Sequence, residues 1–240
     1  MNGFETIIYE KKGSIAYITL NRPHVLNIYN VRMRDELFEA LGVIKEDTEI
    51  KVLLMKGAGE KAFCAGADLS EFLSAPSPTI ARFVRWHRDV WGLFLSLPQP
   101  IVAALHGYVF GSGIEIAMCC DIRIAAENCI FGLPEVALGI IPAAGATQTV
   151  PRIIGPGRTL DMFLTGRRIA AGEALQMNLV NRVVPYAELL ARAEALAGKI
   201  AGFDQEAVRT IKQAVSRGMD LPLEEGLQME RRVSNSNSYY

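Results

Sequence analysis

Between His106 and Asp121 the chain reads HGYVFGSGIEIAMCCD. Three small residues, Gly111-Ser112-Gly113, break an apolar run, and one carboxylate, Glu115, follows two positions later. The preceding stretch, Ile101 to Leu105, is short and apolar and reads as a strand. The stretch after the glycines, IEIAMCC, reads as a helix. Strand, tight turn and apolar helix in succession form the repeating unit of an α/β fold. That handover also bares backbone at a helix N-terminus, where the first amides have no intrahelical partner and carry partial positive charge.

The rest of the chain extends this pattern. Ile7-Ile8-Tyr9 and Ser14 to Leu20 read as two strands around a turn at Gly13. Asn30 is placed to cap a helix running to about Glu46, with Met33, Leu37, Leu41 and Ile44 on one face. Lys51 to Lys56 is a short strand, followed by a glycine-rich loop, GAGEKAFCAGADL, and a short helical turn, SEF. Thr79 to Leu97 predicts one long helix stopped before Pro98 and Pro100. Asp121 to Ala126 is another strand. After Gly155 short helical patterns take over, with one brief strand near Asn181 to Val184 and only helix from Ala187 onward. The final VSNSNSYY has no apolar period and predicts disorder. The division expected is a core over residues 1–186 and a helical C-terminal region over 187–240.

With 240 residues, half of them hydrophobic, the chain suffices for one large domain. At that size a core needs no disulfide or metal staple. The net charge of −1 provides no global field toward nucleic acid or an anionic membrane. Cys64, Cys119, Cys120 and Cys129 form no CxxC, and three histidines are few to complete a metal site; buried reduced thiols are expected, and no metal. No apolar run approaches the roughly 18 residues of a membrane span, and the N-terminus has no apolar signal region, so a cytoplasmic protein is expected.

Several chemistries compete for the Gly111 turn. A dinucleotide loop needs a third small residue where Ile116 stands. A phosphate loop needs a Gly-Lys-Ser/Thr ending, which is absent. A nucleophile elbow needs glycine where Phe110 stands. A Ser112–His106–Asp121 triad has no support from spacing. An oxyanion hole of backbone amides, with Glu115 one turn inside the helix, meets no such objection. Glu115 is either a carboxylate facing water or a functional acid, and its neighbours Ile114, Ile116, Ala117 and Met118 leave little polar face for the first. Phe63-Cys64-Ala65-Gly66-Ala67-Asp68-Leu69 is a second oxyanion candidate or an ordinary surface loop. Glu135, in FGLPEV, is a second acid between apolar neighbours or a solvated acid at a helix start.

In their order along the chain, NRP and LN (Asn21-Arg22-Pro23, Leu26-Asn27), AFCAGADL, HGYVFGSGIEIAMCCDIRIA, FGLPEVALGIIP and LTGRRIAAGEALQMNLVNRVVP resemble the crotonase superfamily, or enoyl-CoA hydratase/isomerase family. The resemblance runs from about Phe4 to about Arg232. It implies a ClpP-like spiral of ββα units, α/β in class, with a C-terminal helical oligomerisation region and a homotrimer or dimer of trimers. It implies an acyl-CoA thioester as substrate, with coenzyme A part of that substrate and no separate cofactor. By motif position, the amides of Ala67 and Ser112 become the oxyanion hole. Glu115 and Glu135 become the two glutamates of the hydratase branch, with Glu135 favoured as proton donor to Cα and Glu115 as the base that orients water. Val25, Leu26, Ala65, Ala67, Asp68 and Leu69 fall on the segments that line the pantetheine. Arg22, Lys56 and Lys61 are local cations for the CoA phosphates. The implied reaction is hydration of a 2-enoyl-CoA to a 3-hydroxyacyl-CoA.

The chain departs from the family pattern at Ser112, Ala143 and Ala146, where glycine is common, and at Ser70, where a basic residue is often found. The added methyl groups near the acyl pocket leave a straight-chain or a cyclic acyl group open. The short C-terminal end gives an expectation of weaker trimer packing or CoA affinity. The alternatives are isomerisation, dienoyl-CoA hydration or decarboxylation on the same scaffold, a non-catalytic acyl-CoA-binding homologue, and an RNA-binding relative. For the last, the basic stretches are short and balanced by acids.

Overall fold

The computed structural model describes residues 3–71 and 77–236. Strands β1 (Ile7–Lys12) and β2 (Ile15–Leu20) form an antiparallel hairpin that turns at Gly13 with φ +58°. Helix α1 (Val31–Glu46) begins where the sequence places it: the Asn30 side chain accepts from Met33 N at 2.9 Å. Its apolar stripe, Met33, Leu37, Leu41 and Ile44, is fully buried. Each such side chain contributes about 1.5–3 kcal/mol on leaving water.

Strands β3 (Val52–Gly57) and β4 (Ala62–Cys64) come next. A 3₁₀ turn over Leu69–Glu71 stands where the short helical turn was expected. The expected helix from Thr79 to Leu97 is two helices, α2 (Pro78–His87) and α3 (Val90–Ser96). The chain bends out of helical geometry at Arg88 (φ −118°, ψ 57°), and Asp89 starts a new helix by accepting from Gly92 N at 3.0 Å. A capping aspartate offers the backbone an alternative that apolar periodicity does not register.

Strands β5 (Ile101–Leu105) and β6 (Tyr108–Phe110) lead into α4 (Ser112–Met118); β7 (Ile122–Ala126) and β8 (Ile130–Gly132) lead through a 3₁₀ turn at Pro134–Leu138 into α5 (Ala146–Ile154). Helix α6 (Pro156–Thr165), β9 (Arg168–Ala170), α7 (Ala171–Gln176) and β10 (Arg182–Val184) follow. The chain then runs as helices α8 (Leu189–Ala201), α9 (Gln205–Gly218) and α10 (Leu223–Ser236). Disorder was expected from Val233, but α10 continues through Ser236; residues 237–240 lie outside the described residues.

The strands form a six-stranded sheet, β1-β2-β3-β5-β7-β10, and a four-stranded sheet, β4-β6-β8-β9. From β3 to β8 consecutive strands alternate between the two, and each pair is followed by helix: β3-β4 with α2 and α3, β5-β6 with α4, β7-β8 with α5. This is a spiral of ββα units, and within each sheet the strands that these units supply run parallel to one another. Leu189, Ala193, Ala197 and Ala201 of α8 are buried against the larger sheet. Helices α9 and α10 pair with each other, and Lys212 ties α9 to the sheet through Asp121 Oδ2 (2.7 Å) and Gln99 O (2.9 Å). All four cysteines are free and buried. Among the described residues no helix is long and apolar enough to cross a membrane, and no cluster of three metal-ligating side chains occurs.

Arg123 fixes the C-terminal end of α4. Its buried guanidinium donates to Cys120 O (2.6 Å), Ala117 O (3.4 Å) and Leu179 O (2.8 Å), a cation against the negative end of a helix. Replacing Arg123 with Met leaves those carbonyls unsatisfied, so equilibrium unfolding in denaturant should show a loss of about 2–4 kcal/mol. A change within about 0.5 kcal/mol, the size of an ordinary surface substitution, contradicts this assignment.

Candidate active site

The AGAD loop, the Gly111 turn and the Glu135 turn meet at one point. At Gly111 the backbone takes φ +47° and ψ −118°, and its N–H donates to Gly132 O at 3.0 Å. A methyl group built on Gly111 would stand 2.8 Å from Glu135 Oε1 and 3.5 Å from Gly66 Cα. One built on Gly113 would fall on the carbonyl oxygen of Cys64, so α4 rests directly against the end of β4. The residues after these glycines, Ala67 and Ser112, therefore stand around the Glu135 carboxyl.

Ala67 pairs with Tyr29 as an isolated parallel bridge: Tyr29 N donates to Gly66 O and Asp68 N donates to Tyr29 O, both at 2.8 Å. In such a bridge the N–H of the central residue points away from its partner. Ser112 is the first residue of α4, whose N–H has no carbonyl within the helix. Among the described residues neither the Ala67 nor the Ser112 amide has a backbone acceptor. Two oriented donors are thus available to an oxygen from outside the chain.

Glu115 is buried, 3% exposed, and Oε1 accepts from Ala144 N (2.8 Å) and Ala146 N (3.4 Å). Ala146 is the first residue of α5, so the carboxylate of one helix sits on the positive end of the next. Burial raises the Glu115 carboxyl above its usual range, while those two amides and the Ser112 hydroxyl pull it back. Glu135 has less help. Burial raises it, the nearby charge of Glu115 raises it further, and its own backbone N–H opposes. Its Oε2 is buried with no hydrogen-bond partner. Both acids are thus raised by burial, but Glu115 is held by two amides from another segment and Glu135 only by its own backbone N–H.

The expected pantetheine segment is contiguous with this point. Val25 closes a 3₁₀ turn, Leu26 lies in the left-handed region at φ +58°, and Ala65 N donates to Leu26 O at 3.1 Å. Leu69 is half exposed. The Asp68 side chain is spent internally: Oδ1 accepts from Ser70 Oγ (2.6 Å) and Oδ2 from Arg22 Nη1 (3.2 Å), and both hold its carboxyl below the usual range. Arg22, considered for the CoA phosphates, is thereby mostly buried, at 17% exposure, and also donates to Ile28 O at 2.8 Å. Lys61 stands on the rim of a cleft of about 340 Å³ that Pro23, His24, Leu26 and Gly59 also line.

The Ser112–His106–Asp121 triad, which the sequence did not support, does not assemble. Asp121 accepts from Ile101 N and Lys212, and the His106 ring packs against Tyr186. The amides of Ala144 and Ala146 are participants that the sequence reading missed; it took Ala143 and Ala146 only as methyl groups near the acyl pocket. Their bond to Glu115 spans about thirty residues of chain, and only the small residues around Gly145 (φ +110°) hint at a close approach there.

A family profile for enoyl-CoA hydratase/isomerase matches residues 10–238. The short-chain-enoyl-CoA hydratase of Clostridium acetobutylicum is 41% identical over 224 residues, 93% of this chain and 86% of that protein. The crotonyl-CoA hydratase of Syntrophomonas wolfei is 37% identical, covering 95% of this chain and 87% of that one. The crystal structure of an enoyl-CoA hydratase from Bacillus anthracis superimposes with a TM-score of 0.92 at 40% identity, covering 98% of this chain and 92% of that one.

The Glu135 environment has a thermodynamic consequence. A folded carboxyl raised above its unfolded value makes the native state bind more protons than the unfolded state in the pH range between the two. Stability then falls as pH rises through that range. Glu135→Gln should remove this slope, so the variant's advantage in denaturation midpoint should grow from acid to neutral pH. A difference that stays constant with pH contradicts the burial argument.

Proposed function

Because the chain belongs to the enoyl-CoA hydratase/isomerase family, we propose that it is a hydratase, adding water across the 2,3 double bond of an enoyl-CoA thioester to give a 3-hydroxyacyl-CoA. The observation that carries this reading is a buried and a half-buried acid, unequally held, beside two unengaged amides.

The thioester oxygen takes the amides of Ala67 and Ser112. As water adds at Cβ, negative charge moves onto that oxygen, and fixed donors there need no reorganisation; losing one costs roughly 10²–10³ in rate. Glu115, kept ionised by the N-terminus of α5, orients the water and accepts its proton. Glu135, with no donor on Oε2, carries the other proton and delivers it to Cα. Adding the elements of water needs both steps, whereas moving a double bond along the chain needs no water-binding acid. The names of the two relatives above support a short acyl group. Coenzyme A enters as part of the substrate, and no further cofactor is proposed. A homotrimer or dimer of trimers remains part of the proposal. Its support is the exposed apolar residues on the later helices, Leu164, Ile211 and Val215 among them.

Mixed with crotonyl-CoA, the protein should bleach the conjugated enoyl thioester and yield a product heavier by one water. Glu115→Gln and Glu135→Gln should each lower kcat by roughly 10²–10⁴ while the protein stays folded. A product of unchanged mass with a shifted double bond, or full activity in either variant, overturns the reading.

A further inference from the structure

The NRP motif does not belong to the catalytic pocket as drawn above, yet its arginine is wired to it. Arg22 Nη1 donates to Ile28 O at 2.8 Å. That carbonyl belongs to the same peptide unit as the Tyr29 N–H, which donates to Gly66 O at 2.8 Å. The Gly66 carbonyl in turn shares its peptide unit with the Ala67 N–H. In a trans peptide C=O and N–H point in opposite directions, and the described backbone contains no cis bond. The result is a straight series: guanidinium, peptide 28–29, peptide 66–67, and the free Ala67 amide. The same Nη1 reaches Asp68 Oδ2 at 3.2 Å, and Asp68 N donates back to Tyr29 O at 2.8 Å, so the series is closed on its other side. Asn27, fully buried, steadies its start by accepting from Arg22 N and donating to Ala58 O and Ala62 O.

We propose that Arg22 is a positioning residue for the reaction: it fixes and polarises the Ala67 amide through two hydrogen-bonded peptides, rather than holding a phosphate of coenzyme A. Hydrogen bonds in a chain strengthen one another by about 10–30% each, and a cation at the head pushes in the sense that makes the terminal N–H a better donor. Orientation counts as well, since a misplacement of about 1 Å at a catalytic group can cost about 10²-fold. The proposal rests on the reading of Ala67 as an oxyanion donor.

The test compares wild type with Arg22→Met, Arg22→Lys and Arg22→Gln on crotonyl-CoA and on crotonyl-pantetheine, which lacks the nucleotide and its phosphates. Arg22→Met should lower kcat about 10- to 100-fold by the same factor on both thioesters, with KM for the CoA thioester moving less than about threefold. Arg22→Lys, which keeps the charge but not the planar fork, should recover only part of this. Loss confined to the CoA thioester, expressed in KM and restored by lysine, makes Arg22 a phosphate anchor and overturns the proposal; so does unchanged kcat on both substrates. An acetoacetyl thioester, whose enolate is read by its absorbance, reports the amide pair without turnover. Arg22→Met should diminish the bound enolate on both carriers, and an undiminished enolate overturns the proposal. A wild type that enolises this ligand yet hydrates nothing refutes the hydratase reading alone. Should Arg22→Met fail to fold, Arg22→Gln, which keeps a donor without the charge, carries the same comparison, with the same outcomes for and against.

Discussion

At Gly111 the chain leaves β6 with φ +47°, and the space a side chain would fill is taken by the carboxyl of Glu135 and the backbone of Gly66. This close approach is possible only because three ββα units deliver their second strands side by side, β4 parallel to β6 and β6 to β8, in one small sheet. Each strand ends at the same level, and each is followed by a turn that contributes one part of the site. The AGAD turn supplies one amide, the Gly111 turn another, and the Pro134 turn an acid. Three segments far apart in sequence thus converge because the spiral repeats, and glycine lets their backbones touch.

The electrostatics of the pocket then follow from which helix points where. Helix α4 aims its first amide into the pocket and carries Glu115 one turn later; α5 aims its own N-terminus at Glu115. A carboxylate that accepts two amides from another segment keeps its charge more easily than one that has only its own backbone N–H. On the proposed reading Glu135, beside that charge and with Oε2 unpartnered, is the place for the proton. Two identical side chains are thus held unequally. The Asp68 carboxyl, by contrast, is neutralised by Arg22 and held by Ser70, and it acts as a structural tie beneath the oxyanion turn.

Much of this was legible in the sequence where local chemistry decides structure. The Asn30 cap and the Met33–Ile44 stripe gave α1 its start and its face, and the helical stretch expected from Ala187 onward holds α8, α9 and α10. The second sheet was not legible. Its strands β4, β6, β8 and β9 are three residues each, too short for an alternation to register, and their pairing is set by the spiral. The break between α2 and α3 was missed because apolar spacing continues across Asp89. At the site, the four motif residues Ala67, Ser112, Glu115 and Glu135 were visible as small residues and isolated acids in apolar surroundings. What escaped was backbone bonding over long separations: the amides of Ala144 and Ala146 on Glu115, and the bonds of Arg22 to Ile28 and Asp68. An arginine in a sequence offers no sign of whether its partner is a ligand or a carbonyl.

The central claim is that the two glutamates share one proton and that it resides on Glu135. Infrared difference spectra of wild type against Glu135→Gln and against Glu115→Gln at neutral pH address this directly, because a protonated carboxyl and a carboxylate absorb in separate regions. The account predicts that removing Glu135 abolishes a protonated-carboxyl band, and that removing Glu115 abolishes a carboxylate band. A protonated band that disappears with Glu115 instead, or two ionised carboxylates in the wild type, contradicts it.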